Sequence, residues 1–343
     1  MAYPTGITTV STAGYFVPEQ WSDEVIAAYK AKLVVGNLTR RMNFKGKKGD
    51  TVHMPVPVRG SASAKAAATL VTVVADSNSE VQVLINKHYE YSRFYEDIAE
   101  MQAHASMRSF YTDDGGYALA KQIDQDLLLL GHYWQSGNGT VSVTNCWETA
   151  KIGGDGSTAF VGATDGNGTA ITDVGLRTAI QLLEDSDVNS SELNFVIPPV
   201  EAKVLRGIPR FTEQAFVGSG DTIRTGRLGN LYGVEIYTSS NCPWLHCNGT
   251  ADETATNFSG TALTGAGTDA FGLSYDFSSD TDTKYRVCSL FHKEANVLAE
   301  QQSIRTQSQY KQEYLSTLVT SDTVYGVKNL RGYAGVALIV PAA

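Results

Sequence analysis

With 343 residues, 42% of them hydrophobic and 18% charged, the chain has the balance of an ordinary folded protein and the length for two or three domains. Its formal charge of −9, from 27 basic and 36 acidic residues, gives no overall basic footprint for gripping nucleic acid; DNA, if it is met, is contained. No run approaches the roughly 18 apolar residues of a membrane span, and MAYPTGITTVSTAGYF lacks the parts of a signal peptide, so cytoplasmic synthesis is expected, with Cys146, Cys242, Cys247 and Cys288 as buried or half-buried thiols rather than disulfides.

The Thr, Ser and Gly rich start, through Phe16, predicts an extended arm that orders against a neighbour. Trp21, Val25, Tyr29 and Leu33 then predict a short amphipathic helix, capped by Ser22 and stopped at Gly36. After the basic turn Lys45 to Asp50, the stretch Thr51 to Val58 reads as an edge strand because it holds Pro55 and Pro57. Ser61 to Thr69 has nothing large to bury, and Leu70 to Ala75 and Ser79 to Lys87 return to β alternation. Together they predict a long two-stranded hairpin, which alone is marginal in water and so is expected to lie on another subunit.

From Asp97 the pattern is helical; after a break at Gly115-Gly116, Tyr117, Leu119, Ala120, Ile123, Leu127 and Leu130 keep a 3.6-residue period to Gly131. Residues 135–170 read as loops with short strands. A second unit starts near Ile171: a helix capped by Thr172 or Asp173 through Val174, Leu176, Ile180 and Leu183, a strand Leu193 to Ile197 ended by Pro198-Pro199, and a short helix Val200 to Gly207. This alternation fits α+β or α/β. Gly233 to Thr238 is a further strand, Asn248 to Thr283 is an acidic insertion without Lys or Arg, read as a surface loop, and Lys284 to Val340 predicts several closing strands with a break at Tyr325-Gly326.

Motifs of chemistry are weak. Asp124 and Asp126 could hold a divalent metal, but residues two apart on a helix do not share a face. Cys242, His246 and Cys247 are zinc-type ligands without the fourth that a closed site needs. Gly153 to Thr158 lacks the Gly-Lys-Ser/Thr ending of a phosphate loop, which leaves a flexible loop. No nucleophile elbow exists, and the pairs Glu96-Asp97 and Glu184-Asp185 read as solvated faces. No enzyme, cofactor or metal is expected.

The order of arm, short helix, hairpin, long helix, central unit and β-rich return resembles the major capsid proteins of tailed bacteriophages, of the Hong Kong 97 type. The phrases Trp21-Ser22-Asp23-Glu24-Val25, Gly49-Asp50-Thr51-Val52-His53-Met54-Pro55, Tyr117-Ala118-Leu119-Ala120 with Ile123-Asp124, and Tyr325-Gly326-Val327-Lys328 resemble podovirus-like members. This resemblance covers nearly the whole chain. It implies an α+β capsid fold with an N-terminal arm and short helix (1–44), an extended E-loop (45–90), a peripheral P-domain with spine helix and adjoining loops (91–170), an axial A-domain with the acidic insertion (171–283) and returning P-domain strands (284–343).

It further implies self-assembly into hexamers and pentamers of an icosahedral shell that encloses double-stranded DNA without sequence-specific binding. A scaffolding protein and a portal would be partners, with room for a cement protein, no membrane, and assembly in the bacterial host cytoplasm. The cluster Arg40, Arg41, Lys45, Lys47 and Lys48, with Arg59 and Lys65 on the hairpin, is expected to contact a neighbouring subunit, each exposed pair contributing about 0 to 1 kcal/mol. By resemblance, Lys65 and Asn329 stand where the type member joins a hairpin lysine to a P-domain asparagine. Two alternatives stay open: an encapsulin-like nanocompartment shell, and a phage decoration or receptor-binding protein.

Overall fold

The computed structural model describes residues 33–44, 49–56, 62, 64–71, 79–98, 107–134, 152–156, 168–208, 229–247, 257–259, 265–268, 274–277 and 283–342. The N-terminal arm, most of the helix predicted from Ser22, the basic turn 45–48, Arg59 and Cys146 lie outside these residues.

In chain order the front half holds a one-turn helix α1 (Val35–Leu38), β1 (Arg40–Asn43), β2 (Thr51–Val56), β3 (Ser79–Leu84), β4 (Lys87–Glu96), the long helix α2 (Met107–Leu129) and β5 (Ile152–Gly153). The central unit holds α3 (Asp173–Glu184), β6 (Leu193–Ile197), α4 (Pro199–Arg206), β7 (Asn230–Leu231), β8 (Val234–Thr238) and β9 (Trp244–Cys247). The acidic insertion, expected as a surface loop, instead holds β10 (Asn257–Ser259), which pairs with β9, and a hairpin of β11 (Gly265–Thr268) and β12 (Ser274–Phe277), the backbone hydrogen bonds of strand pairing forming despite the polar composition. The return segment is β13 (Thr283–His292), β14 (Asn296–Lys311), β15 (Ser316–Asn329) and β16 (Gly335–Pro341).

The architecture is α+β. One sheet runs β1-β14-β15-β4, with β1 parallel to β14 and the other pairs antiparallel. The second runs β10-β9-β13-β6-β8-β7, and β16 pairs β13 and β5. β13 organises this second sheet: Tyr285 to Phe291 pair with β16, while its start pairs with β9 and its end with β6. Enclosed on both edges and both faces, every residue from Tyr285 to Phe291 is buried, Arg286 and Ser289 included. α3 and α4 cover the β6 region through Leu176, Leu183 and Leu205 against Phe195, and the C-terminal turn of α2 packs Leu127 and Leu128, with Trp134 just beyond it, against Phe291 and Leu298.

Several local expectations hold. Thr172 caps α3, its hydroxyl accepting from the Gly175 N–H at 3.0 Å; β6 ends at Pro198, and Pro199 opens α4. Val174, counted in the apolar stripe of α3, is instead exposed.

Three glycine readings are corrected. α2 runs unbroken for 23 residues through Gly115-Gly116. A Cβ on Gly115 would stand 2.8 Å from the Tyr91 ring and 3.2 Å from the Ser321 hydroxyl, so the helix lies on the sheet only where that side chain is missing. β15 likewise continues through Gly326, opposite Ala299; a Cβ there would fall on the Leu84 carbonyl, which marks close backbone approach rather than a break. Gly36, predicted as a helix stop, lies inside α1.

Candidate assembly surfaces

The two aspartates of α2 fasten the parts that reach outward. Asp124 is buried and accepts from the Val34 and Gly36 N–H groups, both at 3.0 Å, so it ties the incoming N-terminal segment to α2. Burial pushes its carboxyl above the usual carboxylate range, and the backbone hydrogen bonds oppose that. Asp126 accepts from the Tyr325 hydroxyl at 2.6 Å and from Gln122 Nε2 at 3.1 Å, and pairs with Lys87 Nζ at 3.0 Å. Burial, then the neighbouring carboxylate, pushes the Tyr325 hydroxyl up, so it stays a donor. Both aspartates are thus taken up by groups of their own chain.

Lys87 sits three residues after the β2–β3 hairpin, whose six pairs join Thr51–Val56 to Ser79–Leu84. No other strand flanks β2 among the described residues, the edge position its proline requires. The hairpin base is held by Val83 and Ile85 against Val297 and Ala299, and by the Ile85 N–H donating to Asp50 at 2.7 Å. Beyond it, residues 64–71 are exposed and irregular, including Leu70 and Val71, which the sequence reads as a strand. Leu70 keeps 96% of its surface in water, an unstable place for an isobutyl group unless another surface covers it.

The outer half of the β14–β15–β4 sheet is a second projection. Residues Arg305 to Gln309 of β14 are all exposed. Arg305 grips Asp322 with two hydrogen bonds, 2.8 and 3.0 Å, Gln302 adds a third at 2.7 Å and His88 lies at 3.4 Å. The guanidinium holds that carboxyl below its usual range. At the tip, Phe94 and Tyr314 meet at 5.8 Å beside Leu315, all three exposed.

Of the residues expected at a subunit contact, Arg40 pairs with Glu294 at 3.8 Å and Arg41 donates to the Gly36 carbonyl at 2.7 Å, both within the chain. Lys65 is exposed on the β2–β3 connection; Lys45, Lys47, Lys48 and Arg59 lie outside the described residues. Asn329 ends β15 opposite Asn296, and its Nδ2 is buried with no hydrogen-bond partner among the described residues. Lys87 was not singled out from the sequence, and Tyr325-Gly326 was read there as a break rather than as a contact; the adjacency of a large aromatic and a glycine in an apolar strand was the available signal.

Cys242 is buried and burial pushes its thiol up to about 12, which keeps it protonated. Among the described residues no three His, Cys, Asp or Glu side chains are grouped to hold a metal. The glycine-rich stretch, read as a flexible loop, is over residues 152–156 a packed turn: Gly154 accepts from the Thr172 N–H at 3.1 Å, and a Cβ on Gly175 would strike the Gly154 carbonyl. Glu96 ends β4 and Asp97 opens a helical stretch, its carboxylate accepting from the Tyr310 hydroxyl at 2.9 Å.

No protein-family profile and no curated protein matches the sequence. The fold has many counterparts among solved structures. A chain from the capsid structure of the cyanophage P-SCSP1u aligns over 100% of this chain and 99% of its own, with TM-score 0.69 at 18% identity. A chain from Mycobacterium phage Che8 aligns over 94% and 97%, with TM-score 0.65 at 22% identity. A chain from the capsid of Ralstonia phage GP4 aligns over 95% of both, with TM-score 0.60 at 13% identity. The chain has the fold of phage capsid subunits, the α+β Hong Kong 97-like fold, along nearly its entire length.

Proposed function

We propose that this chain is the major capsid protein of a tailed bacteriophage, forming the pentamers and hexamers of an icosahedral shell around double-stranded DNA. The observation that carries the reading is end-to-end likeness to capsid subunits, with both chains covered almost completely. In the fold's terms, residues 45–90 are the E-loop, 91–170 the spine-helix part of the P-domain, 171–283 the A-domain and 284–343 the returning P-domain, with 1–44 as the arm. The shell is assembled in the host cytoplasm with a scaffolding protein and a portal, and a cement protein is a further partner.

The work of such a subunit is done by interface area, not by bond chemistry. The exposed Leu70 and Val71 on one projection, and Phe94, Tyr314 and Leu315 on the other, are apolar surface whose burial returns about 25 cal/mol per Å². A stable contact covers roughly 1,600 Å², which long projections supply better than a compact body. Arg40, Arg41, Lys65 and their neighbours then set the register of contact by charge.

Negative-stain electron microscopy of the purified chain, expressed alone and with a scaffolding protein from the same genome, tests this. Uniform closed shells tens of nanometres across are expected. Discrete small oligomers under both conditions would instead support a decoration protein, and DNA-free shells holding an enzyme would support a nanocompartment.

A further inference from the structure

We propose that the outer edge of β14, from Arg305 to Lys311, pairs antiparallel with the same edge of a second copy of this chain about a two-fold axis, so that two four-stranded sheets join into one; the inference rests on the shell reading above. β1 covers this edge only from Val297 to Glu300, and the Phe44 N–H adds one hydrogen bond to the Glu300 carbonyl at 2.8 Å. Both register shifts against β15 fall between Glu300 and Arg305. From Arg305 to Lys311 the pairing with β15 is regular for seven consecutive residues, a run about 23 Å long. Ile304 to Tyr310 are all exposed. A row of edge N–H and C=O groups left in water is a template for a further strand.

Open edges are ordinarily guarded by charge, proline or a bulge. The regular run of β14 has no proline, its bulges lie before it, and its two charges stand at its ends. Arg305 is already turned onto Asp322 of its own chain, and Lys311 closes the strand. Among the described residues only one other strand longer than six residues has an edge open to solvent, β4. That edge is guarded by Lys87, Glu90, Arg93 and Glu96. The strand that matches β14 in length and in lack of guarding charge is therefore β14 of another copy.

Symmetry and charge fix the register. A two-fold axis exchanges each facing pair for one of the same hydrogen-bonding kind, and these kinds alternate along an antiparallel ladder, so one residue must face its own copy. With Ser308 on the axis, Arg305 would face Lys311, like charges directly opposed. With Thr306 on the axis, Tyr310 would face Gln302, within the irregular stretch. With Gln307 on the axis, Arg305 faces Gln309, Thr306 faces Ser308 and Ile304 faces Tyr310. Ile304 and Tyr310 keep 37% and 46% of their surfaces in water, and this register covers one such apolar pair on each side of the axis. On the axis itself two carboxamides meet, each able to donate and to accept.

Gln307→Cys tests the contact in assembled particles under mild oxidation, since residues facing each other across an antiparallel pair lie about 4.5–5.5 Å apart, within reach of a disulfide. A disulfide-linked dimer and no larger oligomer is expected on a non-reducing gel, absent from the unaltered chain, because a two-fold contact closes on itself. Ser308→Cys, displaced by two positions from its own copy, is expected to stay monomeric. Intact particles that yield only monomer from Gln307→Cys, or equal linkage from both variants, overturn the proposal. A second measurement needs no cysteine: Gln307→Lys sets a lysine against its own copy and is expected to lose particle formation while the unfolding midpoint of the monomer stays put. Mixing it with an equal amount of Gln307→Glu is expected to restore particles. Undiminished assembly of Gln307→Lys alone also overturns the pairing. If the unaltered chain forms no shells, the capsid reading itself fails, a result distinct from shells that form without the linked dimer.

Discussion

Asp124 shows how much one buried side chain can hold. Its two oxygens are the acceptors for the Val34 and Gly36 N–H groups, and Asp124→Ala leaves both donors without them. The expected loss is about 1–3 kcal/mol, read as a lower denaturant midpoint with unchanged slope. Tyr325→Phe removes one donor to Asp126 but leaves Lys87 and Gln122 in place, so a smaller loss, about 1 kcal/mol, is expected from the same titration. Glu201 gives a pH signature: it is buried, burial raises its carboxyl, and the Ile171 N–H at 2.9 Å opposes the rise. A carboxyl raised in the folded state favours the protonated fold. Its contribution is therefore best below about pH 4 and declines as pH climbs through the raised value. Glu201→Gln keeps an acceptor for Ile171 and cannot ionise. It should flatten that decline in thermal melts across mildly acidic pH, and an unchanged slope would acquit Glu201. Asp124 acts in the same direction. Asp322, lowered first by Arg305, acts oppositely, its stabilisation present above the ordinary carboxylate value and lost as pH falls through the lowered one.

At the scale of elements, paired glycines separate propensity from packing. Gly116→Ala meets no atom within 4 Å and should stabilise α2 by about 0.5–1 kcal/mol. Gly115→Ala gains the same propensity but drives a methyl group into Tyr91 and Ser321, and should destabilise by about 1–3 kcal/mol. Opposite signs in thermal melts are the expected result; equal signs would mean that α2 does not press on the sheet as described. The sequence alone reads Gly-Gly as a break because local cost is all it can register. The same holds for Gly326, whose reason to be glycine is the carbonyl of Leu84, more than two hundred residues earlier in the chain. Helices and strands whose cause is local were legible: the Thr172 cap, the Pro198-Pro199 stop, the apolar core strand.

For the whole molecule, the projections are separable from the body. Replacing residues 64–71, all exposed, by a short turn removes no buried contact. The monomer should unfold at the midpoint of the unaltered chain, while shells fail to form in electron micrographs. A lowered midpoint would show instead that the hairpin connection supports the body.

What the sequence determined by itself was the order and kind of the longer elements from the β2–β3 hairpin onwards, because apolar periodicity, caps and prolines act over a few residues. It also gave the absence of a complete catalytic or metal signature, since that depends on residue types at short spacings. Only the tertiary structure decided what the isolated signals were for. The Asp124 and Asp126 pair is a fastening between distant segments and not a ligand set. The glycine-rich stretch is a packed turn, and Arg40 shares its carboxylate with Arg331. Each outcome depends on groups remote in the chain meeting at hydrogen-bond distance, and such contacts are set by how the sheets close on one another, which no local pattern encodes.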